Sequence, residues 1–196
     1  MWKQAPYMKN TIFISTVFLL ISTLSQAQSG LNVYAGISSA SSPSEIITTS
    51  GERNQGYLLG ADARLNSGNM YFLLSGQYHV LNFDASQGSF FSVEEQMSWL
   101  KLRFGLGFNV INFTDKIALR AKALLSIDPI VSVPEEIENN DDLIFNASTA
   151  GGHLGVGLDF YAFTFDIEYE KGFFNAVNMV PSTTVDFITA YVGVRF

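Results

Sequence analysis

Cysteine is absent from all 196 residues, which excludes disulfide staples and thiolate metal sites together. Histidine is scarce: His79 and His153 are the only two, leaving little material for imidazole-based chemistry. Basic charge is short as well, with 11 Lys and Arg against 18 Asp and Glu and a formal net charge of −7. So acidic a chain is ill suited to nucleic acid, whose phosphates require Lys and Arg, and no nucleic-acid partner is expected. Long hydrophobic runs are missing. The best of them, Ile12–Leu24, falls short of the roughly 20 apolar residues that a spanning helix needs. If the mature chain crosses a membrane, it must do so as a closed barrel, because lipid cannot satisfy an open sheet edge.

The N-terminus reads as a secretory signal over residues 1–27. Lys9 follows Met8, a second candidate start, and the apolar run comes next. Ser25-Gln26-Ala27 then places small residues before Gln28. Cleavage there removes Lys3 and Lys9 and no acid, taking the charge from −7 to −9. Residues 28–196 remain as one domain, 47% hydrophobic composition in the full chain coexisting with 15% charged residues.

After Gln28 the apolar residues recur at every second position in eight segments. These are Leu31–Ser39, Gly56–Leu65, Met70–Phe83, Met97–Asn112, Lys116–Asp128, Ala147–Tyr161, Phe163–Gly172 and Thr184–Phe196. The fourth is the cleanest: Leu100, Leu102, Phe104, Leu106, Phe108 and Val110 alternate with Lys101, Arg103, Gly105, Gly107 and Asn109. The connections alternate in length. Ala40–Gln55, Asp84–Gln96, Pro129–Asn146 and Phe173–Ser182 are long, whereas Asn66–Asn69, Phe113–Asp115 and Ala162 are short. The pattern predicts an all-β fold, an eight-stranded antiparallel up-and-down transmembrane β-barrel with short periplasmic turns, four longer extracellular loops and both termini periplasmic. A soluble secreted barrel would instead bury Lys101 and Arg103 or leave the six large apolar side chains of the same segment in water.

Strand parity points Asp62, Arg64, Lys101, Arg103, Arg120, Lys122, Asp159, Asp166, Glu168, Glu170 and Arg195 into the lumen. An eight-stranded lumen is just wide enough for side chains to fill. Charges packed there must pair, since a lone buried charge is costly. The reading is therefore a salt-bridged plug, with inward glycines such as Gly155 and Gly157 leaving room for the long chains. Arg195 is expected to meet Asp166. His79 and His153, inward by parity, read as satisfied lumen histidines; Gly151 and Gly155 flank His153 and supply no nucleophile, so no catalytic residue is assigned. Carboxylates crowd the third loop at Glu135, Glu136, Glu138, Asp141 and Asp142, but their spacing matches no EF-hand, and no metal or cofactor is assigned. Phe90, Phe91, Phe173 and Phe174 are candidates for a partner-binding surface in the loops.

The eight segments, the Ser-Gln-Ala|Gln signal end and the terminal Tyr-Val-Gly-Val-Arg-Phe together resemble the small outer-membrane β-barrels of Bacteroidetes-type bacteria. That grouping includes the PorT-like barrels, and the architecture is similar to OmpX and the OmpA transmembrane domain. The resemblance implies residence in the outer membrane among lipid and lipopolysaccharide, and a barrel-assembly signal at Tyr191, Val194 and Phe196 read by the barrel-assembly machinery. The expected role is that of a barrel that is not an enzyme, structural or interaction-mediating through extracellular loops that engage a protein partner. The alternatives are an outer-membrane lipid-modifying enzyme, and a narrow pore, transport or secretion-accessory barrel.

Overall fold

The computed structural model describes residues 29–44, 53–82, 96–133, 145–178 and 181–196. The leader, Phe90, Phe91 and the acidic run from Glu135 to Asp142 lie outside the described residues. Alternation of apolar and polar side chains produces eight strands: β1 (Ser29–Ser41), β2 (Asn54–Ser67), β3 (Met70–Asn82), β4 (Gln96–Thr114), β5 (Ile117–Ser132), β6 (Ser148–Phe160), β7 (Phe163–Gly172) and β8 (Asp186–Arg195). Each pairs antiparallel with the next, and β8 pairs with β1 to close the barrel. In the closing seam Asn32 stands opposite Arg195 and Ser41 opposite Asp186. Two-residue turns at 68–69, 115–116 and 161–162 lie at one end with Ser29 and Phe196, here termed the turn end. The four longer connections, 42–53, 83–95, 133–147 and 173–185, belong to the opposite loop end.

Two of the three tight turns place a residue in the left-handed region, which is free of steric cost for glycine and uncommon for a bulky residue such as tyrosine. Gly68 adopts φ 63°, and Tyr161 adopts φ 58° while its amide donates to the Lys116 carbonyl at 2.8 Å.

Every strand presents an apolar face outward. In β7 Phe163, Phe165, Ile167 and Tyr169 are exposed, while Thr164, Asp166, Glu168 and Glu170 are buried. Phe160, Tyr161 and Phe163 ring the turn end, and Tyr78 and Tyr169 stand toward the loop end, as aromatic girdles do at the two edges of a lipid-facing belt. Exposed apolar surface of this extent is intolerable in water but matches hydrocarbon.

Several boundaries and facings differ from expectation. β5 runs on through Pro129 to Ser132 because its pairing with β4 skips Asp128 and Pro129, so the missing proline N–H costs no ladder bond to β4. β4 includes Phe113 and Thr114, carried there by register shifts beyond Asn109 that insert extra residues opposite β5. Val80, which shares the outward parity of Phe72, Leu74 and Tyr78 on β3, is nevertheless buried.

Candidate functional site: the charged lumen and its apolar cap

All eleven inward charges lie at the barrel wall, ten of them buried and Arg195 partly open at the turn end. Their pairing forms three tiers. Nearest the turn end, Asp159 is shared by three arginines: Arg64 Nη1 at 3.2 Å, Arg120 Nε at 2.8 Å and Arg195 Nη1 at 2.6 Å. Asp62 backs Arg64 at 3.4 Å and is in turn held by Asn32 Nδ2, also at 3.4 Å. Arg120 reaches past Asp159 to Asp166 at 3.1 Å.

The middle tier centres on Glu168. Arg103 Nη1 lies 2.5 Å from it, Lys122 Nζ lies 2.5 Å from it, and Tyr191 donates its hydroxyl proton to it. Lys122 also reaches Asp166 at 2.7 Å, which ties the first two tiers together. The second Arg103 Nη donates to Tyr34 Oη and Ser75 Oγ, both at 2.8 Å. Tyr34 and Tyr191 stack with ring centroids 4.4 Å apart.

In the third tier Lys101 pairs with Glu170 and sits 3.3 Å from the centroid of the Phe187 ring. His153 Nδ1 is 3.8 Å from carboxylates of both Glu168 and Glu170. His79 Nε2 bonds Gln77 Oε1 at 2.8 Å. Among the described residues each histidine keeps one buried ring nitrogen without a hydrogen-bond partner, Nδ1 of His79 and Nε2 of His153.

Above this tier the lumen turns apolar. Ala40, Leu81, Met97, Trp99 and Phe187 converge from the strands, and Ala176, Val177 and Val185 join them from the 173–185 connection. That connection is anchored by a bridge between Phe145 and Val177 and by Asn146, whose amide donates to the Ala176 carbonyl at 2.8 Å. Phe187 belongs both to this cap and to the Lys101 site, so the apolar layer rests directly on the charge column.

Arg195 does not meet Asp166. In the β7–β8 register Asp166 faces Tyr191, and its oxygens are taken by Arg120 and Lys122. Arg195, the last residue of β8, reaches across to Asp159 on β6 instead. Asp128 is a further lumen acid that the sequence reading stopped short of using. It is buried and accepts from Ser126 Oγ at 3.0 Å. Its inward parity with Arg120, Lys122 and Ser126 was the available signal, obscured because the strand was expected to end there. Counting it, the lumen charges among the described residues are six bases and six acids. The bases Lys101, Arg103, Arg120 and Lys122 stand on β4 and β5, and the acids Asp159, Asp166, Glu168 and Glu170 on β6 and β7. Of the terminal residues, Val194 and Phe196 face outward and Tyr191 faces the lumen.

A closed, all-antiparallel, up-and-down barrel of eight strands, apolar outside and charge-paired inside, has the build of the small outer-membrane barrels. Two of the solved structures that match it are a surface protein and an outer membrane enzyme. Neisserial surface protein A (NspA) matches with a TM-score of 0.51 at 14% identity, over 86% of this chain and 97% of that one. The outer membrane enzyme PagL matches with a TM-score of 0.53 at 12% identity, over 83% of this chain and 98% of that one. No protein-family model and no curated protein matches the sequence. The likeness is one of fold. It nevertheless corrects the expectation that this chain is not an enzyme: an outer membrane enzyme has the same architecture, so the architecture carries no argument against catalysis. At 12% identity it assigns no catalytic residue to this chain either.

Proposed function

We propose that the chain is an integral outer-membrane barrel with a sealed lumen, structural or interaction-mediating through the four connections at its loop end. One observation carries this reading: the molecule is apolar where a soluble barrel is polar and charged where a soluble barrel is apolar, with all of the interior charges but Asp128 in ion pairs among the described residues. Such a surface needs lipid, and such an interior needs closure. The turn end with both termini then faces the periplasm and the longer connections face outward, among lipopolysaccharide. A cleaved leader over residues 1–27 and a terminal signal at Tyr191, Val194 and Phe196 for the barrel-assembly machinery belong to the same reading. So does kinship with the PorT-like barrels of Bacteroidetes-type bacteria, which rests on the eight segments, the Ser-Gln-Ala|Gln leader end and the terminal Tyr-Val-Gly-Val-Arg-Phe together.

Two measurements test it. The folded barrel is expected to migrate differently from the boiled protein in a cold denaturing gel, and identical mobility would remove the barrel from membrane consideration. In planar bilayers the intact protein is expected to give no stable conductance, because a column of paired charges lies beneath an apolar cap. Steady channels would show the lumen open and refute the seal.

A further inference from the structure

Among the described residues the strands carry outward-facing charge only at the loop-end rim, at Lys171 on β7 and Asp186 on β8. Lys171 Nζ lies 2.7 Å from Asp186 Oδ2. Asp186 is held from two further sides: the Tyr169 hydroxyl donates to the same oxygen at 3.1 Å, and the Gly172 amide donates to Oδ1 at 3.1 Å. The carboxylate thus orients the lysine while leaving its side chain 55% exposed. An ammonium has three hydrogens, and one of them is spent here.

The ladders extend this row across the seam. Asp186 faces Ser41 on β1, and Ala40, the residue before Ser41, faces Asn54 on β2. Arg53 precedes Asn54, so it stands on the same row, three strand spacings or about 14 Å from Lys171. It shares the outward parity of Gln55 and Leu59, is exposed, and makes no ion pair among the described residues. The row therefore sets two cations against one anion in a chain whose net charge is −7.

What adjoins the row points to its partner. One step down the ladders the outward residues are Ser39, Ile188 and Tyr169, and the next step reaches the exposed Ile37 and Ile167 of the lipid-facing belt. On the other side of Lys171, Gly152 of β6 leaves room for Phe173: a Cβ there would lie 2.7 Å from Phe173 Cζ. Lys171 is thus flanked by two exposed aromatic rings, Tyr169 and Phe173, at the edge of the belt. Apolar wall below and cations above match an amphiphile, whose chains take the wall and whose anionic headgroup takes the cations. A soluble protein partner would have to share this wall with lipid.

We infer that this rim docks a phosphorylated lipid of the outer leaflet, with Lys171 and Arg53 each meeting a phosphate of its headgroup and Tyr169 and Phe173 lying against its acyl chains. The inference rests on the outer-membrane reading above and names one lipid contact within it.

The test is native mass spectrometry of the barrel in neutral detergent. It is titrated with lipid A bearing two phosphates, with the same lipid A stripped of phosphate, and with inorganic phosphate. The phosphorylated lipid is expected to saturate, and to bind about tenfold or more tighter than the stripped one. Lys171→Gln and Arg53→Gln are each expected to weaken it about fivefold, whereas Lys171→Arg, which keeps the charge, retains it. Lys116→Gln, at the turn end, is expected to leave binding unchanged. Gel mobility reports folding of each variant separately, and should one of the two glutamine variants not fold, the other carries the comparison. A wild-type chain without heat-dependent mobility removes the outer-membrane reading and this inference with it. For a folded barrel the inference alone is overturned by absence of saturation, by equal binding of stripped lipid A, or by saturation with inorganic phosphate at the same concentration. Undiminished binding in the folded glutamine variants, or an equal loss in Lys116→Gln, overturns it as well.

Discussion

Glu168→Gln is expected to destabilise the folded barrel by about 3–5 kcal/mol, the usual penalty for removing one partner of a buried ion pair. Glu168 is the only carboxylate within ion-pair distance of Arg103 among the described residues. The amide keeps the volume but leaves the Arg103 guanidinium, fully enclosed in the wall, facing a neutral group. Lys122 suffers less, since Asp166 still holds it at 2.7 Å. Arg103→Met is expected to cost less than Glu168→Gln, because Glu168 retains Lys122 and the Tyr191 hydroxyl. Equilibrium urea unfolding in lipid vesicles measures both. A loss below about 1 kcal/mol for Glu168→Gln would mean that the lumen behaves as a solvated surface, where ion pairs have that smaller worth.

The second large effect is expected at Gly36. It sits in the β1–β8 seam opposite Tyr191, and a Cβ there would overlap the Ala190 carbonyl oxygen and the Cα and Cβ of Tyr191. Backbone cannot rotate out of the way as a side-chain tip can, so Gly36→Ala must either spread the seam or displace the Tyr34–Tyr191 stack. The expected cost is about 3 kcal/mol, the upper part of the usual range for overpacking. Gly76→Ala, where an added Cβ meets nothing within 4 Å, is the matched control and is expected to be nearly neutral. Comparable unfolding midpoints for the two variants would show that closure of the barrel tolerates a wider seam.

Much of this architecture was legible because a strand repeats every two residues, and lipid outside with charge inside writes that repeat in large letters. β7 was read to the residue, its Phe, Ile and Tyr outward and its Asp and Glu inward. Facing was legible; depth was not. Parity says that Arg195 and Asp166 both point inward, but which carboxylate an arginine meets depends on stagger between strands, and stagger comes from pairing register and bulges. Asp128 was obscured by Pro129 beside it, since a proline ordinarily marks the end of a strand. The part of the apolar cap that comes from a connection left no periodic trace: Ala176 and Val177 lie outside the strands, and only the folded chain brings them onto Trp99 and Phe187. Leu58, Leu73 and Leu124 were hidden for a related reason, being buried apolar residues on the polar face, Leu58 packed with Tyr34 and Tyr191, and Leu73 and Leu124 with Tyr71.

The separation of bases on β4 and β5 from acids on β6 and β7 bears on how the molecule comes to exist. The cationic strands precede the anionic ones in the chain, so a growing or partly inserted intermediate holding the first five strands would carry Lys101, Arg103, Arg120 and Lys122 with no counter-charge from β6 or β7. Hydrocarbon does not accept such a load. Insertion one hairpin at a time would leave those charges unpaired in hydrocarbon until β6 and β7 arrive. A chain truncated after β5 would carry those arginines and lysines without the acids of β6 and β7 that answer them.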